Sequence, residues 1–536
     1  MTSTQGTPQR LQAPRRVNPS RWIWLLPPLS GLLLAVSFPP SGMGFLGWLA
    51  LAPLIVFAAR VGRARTAFLG GFAAGLVQFF SLLTWIPAVL HHYGGLPAAA
   101  AWGIFVLLPA MLACFPATLC AFTRFCMNRG GERWLWAFAP ASVALEFLRS
   151  HFPFGGFPWL LLGYSQTGSL RFMQIADIVG VYGVGCVLAA GNTALAWLWL
   201  RRQRPSRGAI PLAVVALITA GCYGYGTAAL ARWDQIVPGR TAALLQGNLS
   251  LDDNEAELAW KYREGYLQLA NHLDAPGADL LILPESPAPM FYQYDEAYRE
   301  TLRSLARRAA LGLVFNNVSF REVGGSQEYF NSAFFLDRQG NETGRYDKIH
   351  LVPFGEYVPL SAIFFFSRSI SRDVGAFQAG AGARTIGLGG HPVNAIICFE
   401  AIFPDLVRRF VRQGSQLIIN LTNDGWYGAT SAPYQHLAMA RWRAVECRRF
   451  LLRAANSGIS AVVAPTGRLE VQTGLLRREA AVGRFAFLEG ETPYVRYGGY
   501  FPILCVILSL LAGIGCGLRG RGGPANEFMT GRRRME

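Results

Sequence analysis

Three short stretches carry residue types that could perform acyl chemistry together. Glu285 follows an apolar run and a proline at 281–286, Lys348 lies at 346–356 beside Glu356, and Cys398 closes the apolar run 395–398 just before Glu400. A cysteine reacts as its thiolate, and the ordinary thiol pKa is about 8.5. It therefore needs a carboxylate to take its proton or a cation to lower its pKa. An ammonium group nearby can then hold the oxyanion of a tetrahedral intermediate. Arginine is a poorer substitute because its guanidinium is a planar, permanently charged fork. That gives weight to Lys348, since only it and Lys261 among 49 basic residues are lysines. Each residue alone has a bland reading: a cysteine ending an apolar strand is usually a small core residue, and single Glu and Lys side chains are usually solvated. The combination supplies a nucleophile, a base and a cation.

The elements that must position these groups follow from periodicity. Between 240 and about 487, strand-like runs at 241–249, 279–284, 312–320, 332–336, 394–398, 416–421, 460–463 and 480–487 alternate with helical patterns. Ala259, Tyr262, Tyr266, Ala270 and Leu273 recur at helical spacing, and further helices are predicted over 294–311, 404–413 and a long 432–455. This alternation predicts an α/β domain with a buried sheet, in which sites collect where strands end. Met290, Phe291 and Tyr292 could line an acyl channel or pack in the core. His350 and His436 could assist proton transfers, although a hydrogen-bonded structural histidine is the plainer expectation, and Cys447 reads as a packing residue.

The rest of the chain has a different character. At 536 residues it exceeds one ordinary domain, and 52% hydrophobic against 15% charged residues departs from the roughly one-quarter charged typical of soluble domains. Apolar segments at roughly 22–38, 45–59, 67–90, 98–122, 134–149, 172–200 and 209–231, with an eighth at 498–518, predict membrane helices. The second and fifth are short. Arginines precede the first segment and follow the second, fourth, sixth and last, whereas 39–44 and 91–97 carry no Arg or Lys. By the positive-inside tendency both termini are cytoplasmic, and 232–497 lies on the outer side. Once the basic residues are placed in these loops, the net charge of +17 argues little for nucleic acid. The nine cysteines include no Cys-x-x-Cys, so neither a zinc site nor a disulfide scaffold is expected. No phosphate-binding glycine signature and no Gly-x-Ser-x-Gly elbow occurs, which argues against nucleotide use and a serine hydrolase. Glu146 and Arg149, three apart on one helix face, read equally well as a functional intramembrane pair or as an interfacial pair at the headgroups. The following Gly-, Pro- and aromatic-rich stretch 152–166 reads as a re-entrant or interfacial loop.

LLILPES, YDKIHLVPFGEYVP, AIICFEAIFPD and LTNDGW resemble the Glu–Lys–Cys motifs of the nitrilase (carbon–nitrogen hydrolase) superfamily. With seven apolar segments before this domain and one after, nearly the whole chain resembles the bacterial apolipoprotein N-acyltransferases. The resemblance implies an α-helical membrane bundle of eight transmembrane helices plus an α/β nitrilase-like αββα sandwich. The expected divisions are a cytoplasmic tail over 1–21, seven helices over 22–231, a periplasmic catalytic domain over 232–497, an eighth helix over 498–518 and a cytoplasmic tail over 519–536. It implies transfer of a fatty acyl chain from a phospholipid, typically phosphatidylethanolamine, to Cys398, and then to the α-amino group of an S-diacylglyceryl cysteine at a lipoprotein's N-terminus. Glu285 matches the general base, Lys348 the oxyanion stabiliser and Cys398 the nucleophile. Glu356 and Glu400 match further acidic positions of the site, and Trp260, Asn331 and Trp426 fall in segments near the pocket. No cofactor, metal or nucleic acid is expected, and the location is the inner membrane. Lipid access suggests that Phe364, Phe365 and Phe366 form a membrane-dipping arm, the alternative being a buried strand. Two other functions stay open: a membrane-anchored amidase or hydrolase releasing acyl groups to water, and a lipid-binding or transport protein.

Overall fold

The computed structural model describes residues 21–203, 205–271, 277–285, 288–357 and 377–518. The proposed arm of Phe364, Phe365 and Phe366 lies outside the described residues. Among the described residues, the lobe that follows Trp233 holds two six-stranded sheets. The first has the order β12-β1-β2-β3-β4-β5, built from β1 (Arg240–Gln246), β2 (Leu280–Ile282), β3 (Gly312–Val323), β4 (Ser326–Leu336), β5 (Glu342–Asp347) and β12 (Glu479–Phe485). The second runs β11-β10-β9-β8-β7-β6, built from β6 (Ile386–Leu388), β7 (His391–Ile397), β8 (Ile418–Thr422), β9 (Leu451–Ala455), β10 (Ala461–Val463) and β11 (Leu469–Gln472). Parallel strands occupy both centres, β1-β2-β3 and β7-β8-β9, with antiparallel strands outside them. The strand alternation explains the layering. Leu244, Ile282, Val314 and Phe335 face the second sheet, within one core with Ile396, Ile418 and Leu452. Their neighbours Leu245, Leu281, Leu313 and Phe334 face the other way, onto Tyr298, Leu302 and Leu305 of the helix Glu296–Ala309. Helices Pro404–Arg412 and Ala432–Cys447 cover the second sheet, giving the αββα sandwich.

One expected helix splits. The run 432–455 is helical only to Cys447; Arg448 takes a left-handed conformation (φ 50°), and 451–455 becomes the central strand β9. Leu451-Leu452-Arg453-Ala454-Ala455 is buried throughout, so it shows no alternation to distinguish strand from helix. β5, β6 and β11 had no strand signal strong enough to be predicted.

The membrane part departs from eight full-length spans. Among the described residues, four helices are long and apolar enough to cross a membrane: Ala98–Gly130, Ala176–Leu200, Gly208–Trp233 and Tyr500–Leu518. Ala64–Leu82 and Ile86–His92 make a fifth if counted together, bent by 53°. The first and second predicted segments become shorter apolar helices, Arg21–Ser37 and Gly44–Arg60, each opening in a 3-10 turn, and the fifth is the 12-residue Phe138–Arg149. These pieces are shorter than the ~20 helical residues that span a hydrocarbon core.

The two ends of this bundle differ in chemistry. At one end Arg124 Nη1 donates to Ala59 O at 2.8 Å, Arg129 to Gly517 O at 3.0 Å, and Arg201 pairs with Glu132, while Arg60 and Arg202 lie over the Trp199 ring. At the other end the two-sheet lobe is seated. Trp159 donates to Gln435 Oε1 at 2.9 Å, Trp442 to Thr167 Oγ1 at 2.9 Å, and the N–H of Val181 to Glu446 Oε1 at 3.0 Å. Glu146 and Arg149 lie against the loop that follows their helix, Arg149 buried and Glu146 half-buried. Arg149 donates to Phe157 O and Trp159 O, and Glu146 accepts from the N–H of Leu162, so the pair shapes the loop beneath the lobe.

The clearest bolt across this seam is Arg448. It bonds Asp177 Oδ2 at 2.6 Å, Gln174 Oε1 at 2.6 Å and Pro465 O at 3.1 Å, and Asp177 also accepts from the Tyr225 hydroxyl. Removing one partner of a buried ion pair leaves the other charge uncompensated, at a cost of about 3–5 kcal/mol. Asp177→Ala is therefore expected to lower the thermal unfolding midpoint of the detergent-solubilised protein markedly. An unchanged midpoint would remove this pair from the seam's stability.

Candidate active site

Four strand ends deliver the site. Glu285 follows β2 by three residues, Lys348 follows β5 directly, Cys398 follows β7 directly, and β8 runs into Asn423 and Asp424. β2, β7 and β8 run in parallel ladders, and β5 pairs antiparallel to β4, which is itself antiparallel to β3. These carboxyl ends therefore converge at one rim of the two sheets.

Lys348 is buried, and its Nζ lies 2.9 Å from Glu356 Oε1 and 3.7 Å from Glu285 Oε1. Asn331, on β4, separates the two acids: its Nδ2 donates to Glu285 Oε1 and to Glu356 Oε1, both at 2.9 Å. Asn331 is itself held by Asn316 Nδ2, which donates to its Oδ1 at 2.6 Å. The second oxygen of Glu285 accepts the Asn423 N–H at 3.0 Å, and that of Glu356 the Val352 N–H at 2.8 Å. Cys398 sits on a left-handed turn (φ 49°), a conformation costing a side-chain-bearing residue on the order of 1–2 kcal/mol. Glu400 secures the turn and its neighbour together. Its Oε1 accepts from the Tyr346 hydroxyl (2.7 Å) and the N–H groups of Ile349 (2.7 Å) and His350 (3.1 Å), and its Oε2 accepts the Ile397 N–H (2.8 Å).

The electrostatics favour one division of labour. Burial pushes the Cys398 thiol above its ordinary range, and the Glu285 and Asp424 carboxylates add to that; Lys348 and the Thr422 hydroxyl oppose it without prevailing. Burial also works against the Lys348 charge, but Glu356, Glu285 and Cys398 outweigh it and hold the ammonium above its usual value. The resting site is thus a neutral thiol beside a permanent cation. A base would have to take the thiol proton during attack, and Glu285 is the carboxylate whose charge bears most strongly on that thiol. The cation is free to stabilise an oxyanion rather than a resting thiolate.

Residues 30–194 match the apolipoprotein N-acyltransferase N-terminal domain, and residues 241–483 match the carbon-nitrogen hydrolase domain. An apolipoprotein N-acyltransferase of Geobacter metallireducens is 38% identical over 514 residues, covering 93% of this chain and 96% of that one. One of Methylococcus capsulatus is 35% identical over 491 residues, covering 90% and 94%. The chain belongs to the apolipoprotein N-acyltransferase family. Among solved structures, an amidase from Nesterenkonia sp. AN1 aligns at 21% identity over 48% of this chain and 95% of that one, with a TM-score of 0.36. A carbon-nitrogen hydrolase from Helicobacter pylori G27 aligns at 17% over 49% and 93%, with the same TM-score.

In this apolipoprotein N-acyltransferase family member, Glu285, Lys348, Glu356 and Asn331 form one bonded cluster, with Cys398 within its electrostatic reach, and Glu400 ties the Lys348 segment to the Cys398 turn. Trp426 stands at the margin, 41% exposed, its ring edge-on to Tyr93 at 4.9 Å. Trp260 is 64% exposed on the helix Glu255–Tyr262 and directs its ring to solvent. Tyr292 belongs to the core, against Phe315 and Phe334, whereas Phe291 is exposed. His350 is neutral, its pKa lowered to about 4 by burial and by Arg409, and stacks on Phe403.

Sequence reasoning singled out His436 but not the network that surrounds it on the floor of the site. His436, Asp424, Arg453 and Thr422 form a buried network under Cys398, and Trp159 packs on it from the membrane side. Asp424 lies inside LTNDGW, but Arg453 falls in β9, whose sequence pattern reads as a continuation of the preceding helix. Glu400 offers a direct test of how the Lys348 segment is held. In Glu400→Gln the amide nitrogen must face at least one of the donors now satisfied. Turnover is expected to fall about 10²-fold through misplacement of Lys348 and Cys398. Steady-state kinetics with phospholipid vesicles would read this, and wild-type turnover would deny Glu400 the role.

Proposed function

We propose that this protein transfers a fatty acyl chain from a phospholipid to the α-amino group of an S-diacylglyceryl cysteine at a lipoprotein's N-terminus, through a thioester on Cys398. The observation that carries this reading is the buried Lys348 ammonium, shared between Glu285 and Glu356 and adjacent to a cysteine held on a left-handed turn. In the first half-reaction Glu285 takes the Cys398 proton as sulfur attacks the ester carbonyl. Lys348 holds the oxyanion, and collapse breaks the ester C–O bond; the proton passes to the departing lysophospholipid oxygen. In the second, the lipoprotein amine attacks the thioester, again against Lys348. The C–S bond breaks, and Glu285 relays the amine's proton to the sulfur. Glu356 and Asn331 keep Lys348 and Glu285 in register.

We place the lobe, residues 232–497, on the periplasmic side of the inner membrane, with both tails, 1–21 and 519–536, cytoplasmic. Supporting this are the arginine-rich loops gathered at the bundle end opposite the lobe. Eight crossings, seven over 22–231 and one over 498–518, suit that arrangement if the bilayer is locally thinned at the short helices. Phosphatidylethanolamine is the expected donor.

The test supplies the purified full chain with vesicles whose phospholipid carries a labelled acyl chain and with a synthetic S-diacylglyceryl-cysteinyl peptide. Label in amide linkage on the peptide is the expected product, fastest with phosphatidylethanolamine. Label appearing only as free fatty acid would favour the hydrolase reading instead.

A further inference from the structure

Beneath Cys398 lies a completely buried histidine. His436, on the helix Ala432–Cys447, places Nε2 3.0 Å from the carbonyl oxygen of Cys398 and Nδ1 2.9 Å from Asp424 Oδ1. A carbonyl oxygen only accepts, so Nε2 carries a proton and donates it. The far side of the ring is fixed in turn. Asp424 is anchored by Arg453 Nη2 at 2.6 Å and by the Thr422 hydroxyl at 3.0 Å, and Trp159 packs 5.8 Å from the imidazole centroid.

We infer that His436 is a positioning residue that locks the left-handed turn of Cys398 by donating from Nε2 to its carbonyl. Strained backbone persists only where its surroundings over-determine it. Glu400 holds the peptide N–H on the upstream side of the turn, at Ile397, and His436 holds the carbonyl on the downstream side. With both held, the Cβ–Sγ bond of Cys398 has one direction relative to Lys348. With the carbonyl released, the turn can relax towards right-handed backbone and carry the sulfur away from the oxyanion position. The inference rests on the acyl-thioester reading, but its effect falls on the nucleophile itself.

Two substitutions separate the two halves of the ring. The amide nitrogen of a glutamine overlays histidine Nε2, and that of an asparagine overlays Nδ1. His436→Gln keeps the donor to Cys398, and His436→Asn reaches only the opposite side, towards Asp424 and Arg453. The expected result is a kcat about 30- to 100-fold lower in His436→Asn with KM within about two-fold, and a kcat within about five-fold of wild type in His436→Gln. Alkylation of Cys398 by iodoacetamide, followed on its own peptide by mass spectrometry, should slow in the Asn variant and recover in the Gln variant. Equal effects of the two substitutions, or a better Asn than Gln variant, would overturn the inference. If wild type forms no acyl adduct, the functional reading fails on its own, and the iodoacetamide rates still decide the role of His436.

Discussion

Cys398→Ala is expected to abolish acyl transfer, lowering turnover at least about 10⁴-fold, as loss of a covalent nucleophile does. Cys398→Ser should be nearly as inactive, because the alkoxide it would need is far more basic than a thiolate and Glu285 is a weak base for it. The more discriminating partner experiment is Glu285→Gln. The Glu285 carboxylate raises the Cys398 pKa by disfavouring a second negative charge beside it. Removing that charge lowers the thiol pKa, enlarges the thiolate fraction at a fixed pH near 7 and speeds alkylation of Cys398 by iodoacetamide. Transfer should nonetheless fall about 10³-fold or more, because nothing remains to accept the thiol proton and return it to the leaving group. Faster alkylation with lost turnover is the signature of a general base. Slower alkylation together with lost turnover would mean that Glu285 acts by holding the site's shape.

Lys348→Arg is the second large effect. The ammonium is buried to 1% exposure, with Glu356 at 2.9 Å and Glu285 at 3.7 Å. A guanidinium is larger and planar, and its fork would form paired hydrogen bonds to one of these carboxylates. That geometry draws charge away from the point where the tetrahedral oxyanion develops. Loss of a well-placed oxyanion donor costs about 10²–10³ in kcat, or about 2.7–4 kcal/mol of transition-state stabilisation. We expect Lys348→Arg in this range and Lys348→Met below it, since the latter also leaves two half-buried carboxylates without a counter-ion. Single-turnover rates of acyl-enzyme formation measure this directly. A wild-type rate in Lys348→Arg would show that positive charge, and not its placement, is what the site requires.

The candidate site residues are legible because they lie at strand ends, where apolar runs stop and polar residues begin: Leu283-Pro284-Glu285 and Ile397-Cys398 each mark such a border. The sandwich was legible for the same reason, as Gly312–Val323 and His391–Ile397 carry β-branched or aromatic residues between turn signals. What escaped was long-range. β9 is buried on every side and loses its periodicity, so Arg453 could not be placed beneath Cys398. The role of Asn331 depends on its facing two acids 46 and 25 positions away. Arg443, Arg448 and Arg449 look like surface charge in a chain rich in arginine, yet they are buried and bind the helix Tyr164 side chain, Asp177 and the Ser415 carbonyl. The bundle was legible as apolar segments but not as helix lengths, because breaks such as that between Leu82 and Ile86 leave hydropathy unchanged.

The proposed mechanism stands most directly on a covalent species. The full-length protein is incubated with phospholipid vesicles carrying an isotopically labelled acyl chain, without any acceptor, then digested and examined by mass spectrometry. The expected result is one labelled acyl group on the Cys398 peptide, released by neutral hydroxylamine and chased into amide linkage when a diacylglyceryl-cysteinyl peptide is added. Amide product formed while Cys398 stays unmodified at every time point, or formed undiminished by Cys398→Ala, would contradict it.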